Sequence, residues 1–242
     1  MAIPRIGWLA GPGCATLFAV SGSDPRRQVR VSLSMLLRIR EDERFVLFHS
    51  INRPGLYGPP SGVVKYFPPA VPVLEEVGFR PERTGPNTLQ WADLRGFLPD
   101  HGLRDFLRWF ESGAYRESSR ECLVREFTEE LGEVGLPHLA ADMGELDHRL
   151  VRTVSEGPHD VPGKQYKQFR RFEVYDLLTP NTATLRLVRE LVAAGADQAR
   201  PLVVNAHPED IAHGRHGRVL IAPQTALLLG DRRVLPDVPP MR

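Results

Sequence analysis

The chain reads as an α/β protein whose sheet is mixed and mainly antiparallel. Two observations predict this. Stretches of period-two alternation at about 29–51 and 146–178 read as paired strands with short polar joins. Between and after them, segments at about 102–111, 117–131 and 179–194 carry apolar residues at helical spacing. An apolar share of 42% over 242 residues is enough for a full core, and one domain with elaborations is expected.

Taken in order, residues 1–28 are rich in Gly, Pro and Ser and read as an irregular arm. Val31, Leu33, Met35 and Leu37 alternate along a strand from Val29 to Ile39. Glu41-Asp42-Glu43 is a polar turn, and Arg44 to Ile51 reads as the returning strand of a hairpin. Gly58-Pro59-Pro60-Ser61-Gly62-Val63-Val64 approaches another strand. The prolines at 68, 69, 72, 81, 86 and 99 exclude a long helix, so Val71–Val77 and Thr88–Trp91 are expected to give short strands. A helix from about Gly102 to Glu111 buries Leu103, Phe106, Leu107 and Phe110. After Ser112-Gly113 a second helix begins at Glu117-Ser118-Ser119. Strands at 146–155 and 166–178 follow, and then a helix from Thr179, its expected N-cap, with Pro180 in the first turn. Pro201–Val204 is a short strand, His207–Ile211 opens a turn of helix, and residues 233–242 form a proline-rich tail.

Chemistry concentrates in Arg125-Glu126-Phe127-Thr128-Glu129-Glu130-Leu131-Gly132. On a helix, positions i, i+3 and i+4 share a face, so Glu126, Glu129 and Glu130 converge and repel one another. A hard divalent cation relieves that repulsion, and carboxylates are the ligands Mg2+ or Mn2+ accept. Leu123, Phe127, Leu131 and Val134 make the apolar stripe, with Gly132 read as the helix end. The bland alternative is a solvated acidic helix in which Glu121 and Arg125 form an ordinary i,i+4 pair.

With Glu117 eight residues before Arg125, the spacing becomes E-x7-R-E-U-x-E-E-x-G, U being a bulky apolar residue. This resembles the Nudix box. Two positions depart from the pattern: Glu111 stands where the box opens with glycine, and Glu133 stands where an apolar residue follows the last glycine. Gly62 in the proline-glycine segment takes the part of the missing glycine, and residues 65–112 are then an insertion within a domain spanning 29–232. An insertion at this point is similar to the SMODS-associated Nudix group of bacterial nucleotide-signalling and antiphage systems.

The resemblance implies an α/β/α sandwich with the box helix packed on the sheet. It also implies metal-dependent cleavage of a phosphoanhydride in a nucleotide or nucleoside-diphosphate derivative. Glu126, Glu129 and Glu130 are then metal ligands, Glu129 or Glu130 also the general base, and Arg125 the orienting residue, paired with Glu117. The Gly62 carbonyl completes the metal shell, unless Gly62 is a plain turn glycine. The insertion is expected to form part of the pocket wall while the core sheet forms without it. A rival of another class is a Nudix fold that binds a nucleotide without cleaving it, which the two departures favour and the complete acid set opposes. A scaffold within a larger defence complex is the third reading.

Lys164, Lys167, Arg170 and Arg171 around the second hairpin, and Lys65 and Arg53 near the glycine segment, are candidate phosphate contacts. Alternating basic residues also mark a solvated strand face. His207, His213 and His216 match no zinc spacing. Trp91, Tyr57 and Tyr66 either stack a base or fill the core. The two cysteines, Cys14 and Cys122, fit a reducing cytoplasm, with Cys122 a small buried residue. A net charge of +1 gives no strong nucleic-acid or membrane signal. No apolar run approaches the ~20 residues that span a bilayer, and Gly11, Pro12 and Gly13 interrupt the apolar 7–20 region, against a signal peptide. Oligomeric state is left open, a homodimer included.

Overall fold

A computed structural model describes residues 28–82, 92–197, 199 and 201–233. The expected arm, Cys14, Trp91 with the Thr88–Trp91 strand, and nearly all of the tail lie outside those residues. The strands are β1 (Gln28–Arg38), β2 (Arg40–Glu41), β3 (Arg44–His49), β4 (Leu56–Gly58), β5 (Ser61–Val63), β6 (Lys65–Tyr66), β7 (Arg80–Pro81), β8 (Ala92–Asp93), β9 (Arg95–Pro99), β10 (Asp147–Asp160), β11 (Lys167–Leu178), β12 (Val203–Ala206), β13 (Arg215–His216) and β14 (Val219–Ile221). The helices are α1 (Val71–Glu76), α2 (Leu103–Ser112), α3 (Ser119–Glu133), α4 (Thr182–Ala196) and α5 (Pro208–His213).

One sheet runs β10-β11-β1-β9-β7, with β5 also on β1; a second runs β12-β3-β4-β14-β13, with β2 on β3. Pairing is antiparallel except for β1 with β11 and β4 with β14, so the sheets are mixed and mainly antiparallel. Alternation along β1 explains the layering. Val29, Val31, Leu33, Met35 and Leu37 enter one large core with Phe127 and Leu131 of α3, Phe106 of α2 and Leu187 of α4. The opposite face carries Leu36, which joins Phe172, Val174, Leu47 and Ile221 in a second cluster.

Several expectations are corrected. The first hairpin is not one continuous pair. β3 pairs back at Arg40 and Glu41, with Val46 N also donating to Ile39 O at 3.0 Å, and then diverges into the other sheet. Val71–Glu76 is helical, not extended, because Pro72 falls in the first turn, where its missing N–H costs nothing. Asn181, not Thr179, caps α4, accepting from the Thr184 amide at 2.9 Å. Gly132 lies inside α3; the left-handed residue beyond the helix is Gly135 at φ 78°.

The largest correction concerns residues 65–112. β9 pairs with β1 from Gln28↔Pro99 to Ser32↔Arg95, on the edge that β5 occupies further along. Leu74, Phe79, Leu94, Leu98, Phe106 and Phe110 from this segment are all buried in the main core. The insertion is therefore part of the sheet and of the core. Its ends meet: Glu117 N donates to Lys65 O at 2.9 Å, and Phe67 N to Tyr115 O at 2.8 Å. That closure brings the chain back beside β5, as the split motif requires.

Candidate active site

Helix α3 starts with a capping box: Glu121 N donates to the Ser118 hydroxyl, and Ser118 N donates to Glu121 Oε2 at 2.7 Å. Glu121 is thus occupied with the cap and leaves Arg125 to other partners. Leu123, Phe127 and Leu131 bury the expected stripe, with Cys122 beside them fully enclosed. The polar face turns to β5.

Arg125 is the centre of this face. Its Nε donates to Glu117 Oε1 at 2.7 Å and its Nη2 to Glu117 Oε2 at 2.8 Å, a two-pronged pair. Nη2 also donates to Val63 O at 3.1 Å, and Nη1 to Glu126 Oε1. Glu117 is buried and accepts in addition from the Lys65 amide at 2.9 Å. Burial works against the Arg125 charge, but its hydrogen bonds to the Glu117 and Glu126 carboxylates carry its pKa above the ordinary value.

The three box carboxylates follow from that clamp. Glu126 lies against β5, where a Cβ on Gly62 would overlap its side chain, so only glycine fits. Glu130 accepts from Ser61 N at 3.2 Å. Glu129 is open, its side chain 56% exposed. Burial raises the pKa of Glu126, with Arg125 opposing and the Glu129 charge adding to the rise. Burial raises Glu130 well above the usual range, against the Ser61 amide, and the charges of Glu126, Glu133 and Glu129 add to it. Glu126 and Glu130 are dehydrated, and the three carboxylates repel one another, the electrostatic condition that a hard cation relieves. Among the described residues no group of three acidic, His or Cys side chains is already gathered at ligand spacing. The carboxylates stand on one face, and Glu126 is turned to Arg125.

The ladder alters the expected part of Gly62. Leu37 N donates to Pro60 O and Val64 N to Leu33 O, so by alternation Met35 and Gly62 form a hydrogen-bonded pair. The Gly62 carbonyl therefore faces β1, and its contribution is the missing Cβ. The Ser61 amide and carbonyl share the other edge, toward α3.

A cleft of about 630 Å3 opens over this face, lined by Glu126, Glu129, Glu130 and Glu133, by Ser61 and Gly62, and by Arg53. A second cavity of about 600 Å3 on the far side of α3 is lined by Lys65, Arg120, Val124 and Arg125, and shares Glu129. Arg53 thus stands in the cleft and Lys65 beside it, where its charge also lowers the pKa of Glu126. Lys167 and Arg170 line neither cavity. Lys167 meets Asp100 at 3.3 Å, and Arg170 pairs in register with Ser32. Tyr57 and Tyr66 are buried. His213 and His216 are tied to Glu209 O and Asp210.

A family model described as the SMODS-associated NUDIX domain matches residues 28–229. The chain belongs to this family. The match runs through the segment between Gly62 and Glu117, so the inserted strands fall within the family's domain. No match emerges among curated proteins. Among solved structures, the solution structure of the E. coli ORF135 protein covers 83% of this chain and 86% of its own at 13% identity, with a TM-score of 0.31. That value is too low to carry an argument.

Sequence reasoning missed the cleft residues His49, Asn52, Asp93, Arg95 and Gln224 of this SMODS-associated domain. The Asp93-Leu94-Arg95 alternation was the available signal, because Leu94 is fully buried while its neighbours reach the cleft. Among the described residues no helix is long and apolar enough to cross a membrane.

Proposed function

We propose that this domain hydrolyses a phosphoanhydride bond in a nucleotide or nucleoside-diphosphate derivative. The observation that carries the reading is the Arg125 clamp. An arginine bound through two prongs to buried Glu117, and to the backbone of β5, fixes a row of carboxylates at the mouth of a cleft. A charged face made for solubility alone has no use for such positioning.

Glu126, Glu129 and Glu130 would hold Mg2+ or Mn2+, and the Ser61 carbonyl stands on the edge expected of Gly62. Bound there, the ion supplies neutralisation of phosphate oxygens and a more acidic water. Arg125 and Glu117 position the carboxylates, while Glu129 or Glu130 accepts the proton of the attacking water. Arg53 and Lys65 balance substrate phosphates from the two sides of the acidic row. In keeping with the family, the setting we favour is a cytoplasmic bacterial nucleotide-signalling or antiviral defence system.

The test is a panel of nucleoside di- and triphosphates, dinucleoside polyphosphates, NAD-like and sugar nucleotides with Mg2+ or Mn2+, reading phosphate or pyrophosphate release. Turnover should fall by roughly 10²-fold or more in Glu129→Gln or Glu130→Gln, with the circular dichroism spectrum unchanged. Nucleotide binding without release across the whole panel would overturn the reading in favour of a non-cleaving sensor.

A further inference from the structure

The cleft does not end at the acidic row but continues across β5. The Ser61 amide meets Glu130, while Ser61 pairs with Leu36 and so shares the face that Leu36 and Phe172 turn into the second cluster. From the facing sheet, His49 at the end of β3 pairs with Tyr57 of β4, their rings edge to face at 5.3 Å. Tyr57 belongs to the same second cluster, and its carbonyl accepts from Ala222 N at 2.7 Å. Leu36, Phe172, His49, Asn52, Ala222 and Gln224 all line the cleft.

The His49 ring proton has a fixed place. Gly55 N donates to His49 Nε2 at 3.1 Å, closing the turn after β3. A backbone amide has only a hydrogen to give, so Nε2 holds a lone pair and the proton sits on Nδ1. Among the described residues nothing accepts from Nδ1, and His49 is half-buried at the cleft. Arg53 on the same turn supplies a charge for phosphates. His49, Asn52 and Gln224 carry none. Set against Leu36, Phe172 and Ala222, they make an apolar surface with a few polar groups, which suits a flat heterocycle.

We infer that His49, through Nδ1–H, reads the nucleobase of the substrate at an exocyclic oxygen. A fixed N–H donates but cannot accept, so an amino group in the same place leaves two donors facing each other. The site therefore selects 6-oxopurine or 4-oxopyrimidine nucleotides over their amino counterparts. This rests on the reading of the cleft as a nucleotide site, but its test reads binding and not turnover.

The test is calorimetry on the full chain with Mg2+ and α,β-methylene diphosphates, which hold no anhydride to cleave. Inosine is compared with adenosine, and uridine with cytidine. The oxo member should bind roughly tenfold tighter in at least one pair. Glutamine sets an oxygen where Nε2 stands, and asparagine sets an amide where Nδ1 stands. His49→Gln should therefore keep the Gly55 bond and lose the oxo preference, whereas His49→Asn should keep tight binding of the oxo member. Equal or undetectable binding in both pairs would overturn the inference. So would a preference that survives His49→Gln, or His49→Asn binding the oxo member no better than His49→Gln. Anhydrides left uncleaved with the preference intact would strike the hydrolytic reading and leave this one standing.

Discussion

Two buried arginine clamps use the same bond for different ends. Arg38 on β1 grips Asp176 on β11, with its Nη2 at 2.9 Å from Oδ2, and its Nη1 donates to Leu228 O at 3.0 Å. Arg125 grips Glu117 in the same two-pronged manner. What differs is the surplus. Around Asp176 the surplus is positive: Arg149 comes within 3.4 Å, and the charge of Arg40 adds to that of Arg38. Around Arg125 it is negative, with Glu126, Glu129 and Glu130 beyond the pair. A clamp with excess base satisfies its acid and staples two strands. A clamp with excess acid leaves carboxylates whose repulsion the proposed cation would relieve.

The strongest way to break this comparison is to remove each arginine. Arg125→Ala leaves Glu117 buried without its partner and should cost about 3–5 kcal/mol in urea unfolding, with turnover lost as well. Arg38→Ala should cost less, because Arg149 still reaches Asp176. Turnover intact in Arg125→Ala would separate the clamp from the site.

Cation binding sharpens the contrast. At ~100 times the dissociation constant, Mg2+ or Mn2+ stabilises the fold by about 2.7 kcal/mol, which in a domain of this size raises Tm by roughly 5–10 °C. Glu126→Ala should blunt the shift and Asp176→Asn should retain it. If calorimetry finds no cation binding even with nucleotide present, the acidic row is only a charged face.

The smallest effect is on the acid side. Burial alone would raise Asp176, but the hydrogen bond and charge of Arg38, then Arg149 and Arg40, hold it below the ordinary value of 3.8. A depressed folded pKa gives stability that is full above the unfolded value and lost as pH falls through the folded one. Acid unfolding of Asp176→Asn should therefore show a shallower fall in stability below about pH 4 than wild type. An identical slope would mean that the base-rich clamp is not a pH-dependent staple.

Much of the site was legible because spacing on a helix is geometry. Residues 125, 126, 129 and 130 fall into place once α3 forms, the stripe at 123, 127 and 131 fixes which side faces the sheet, and Glu117 joins them from just before the helix. Gly62 was legible by chemistry, although its service is a missing Cβ and not a carbonyl. The inserted strands were not legible. Residues 68–99 are broken by proline and short in period, and the brief Asp93-Leu94-Arg95 alternation is too short to announce that Leu94 and Leu98 are fully buried. Lys167 and Arg170 looked alike as basic residues, yet register decides that one meets Asp100, just past the end of β9, and the other pairs with Ser32 on the adjoining strand. Long-range register is the quantity a single chain does not display.

The closed neck at Lys65 and Glu117 also has a mechanical consequence. Because Glu117 both bonds the Lys65 backbone and grips Arg125, the place where the segment leaves and re-enters is tied to the helix that carries the acids. A strain applied to the strands between them is therefore felt first at Arg125, and through it at the row of carboxylates.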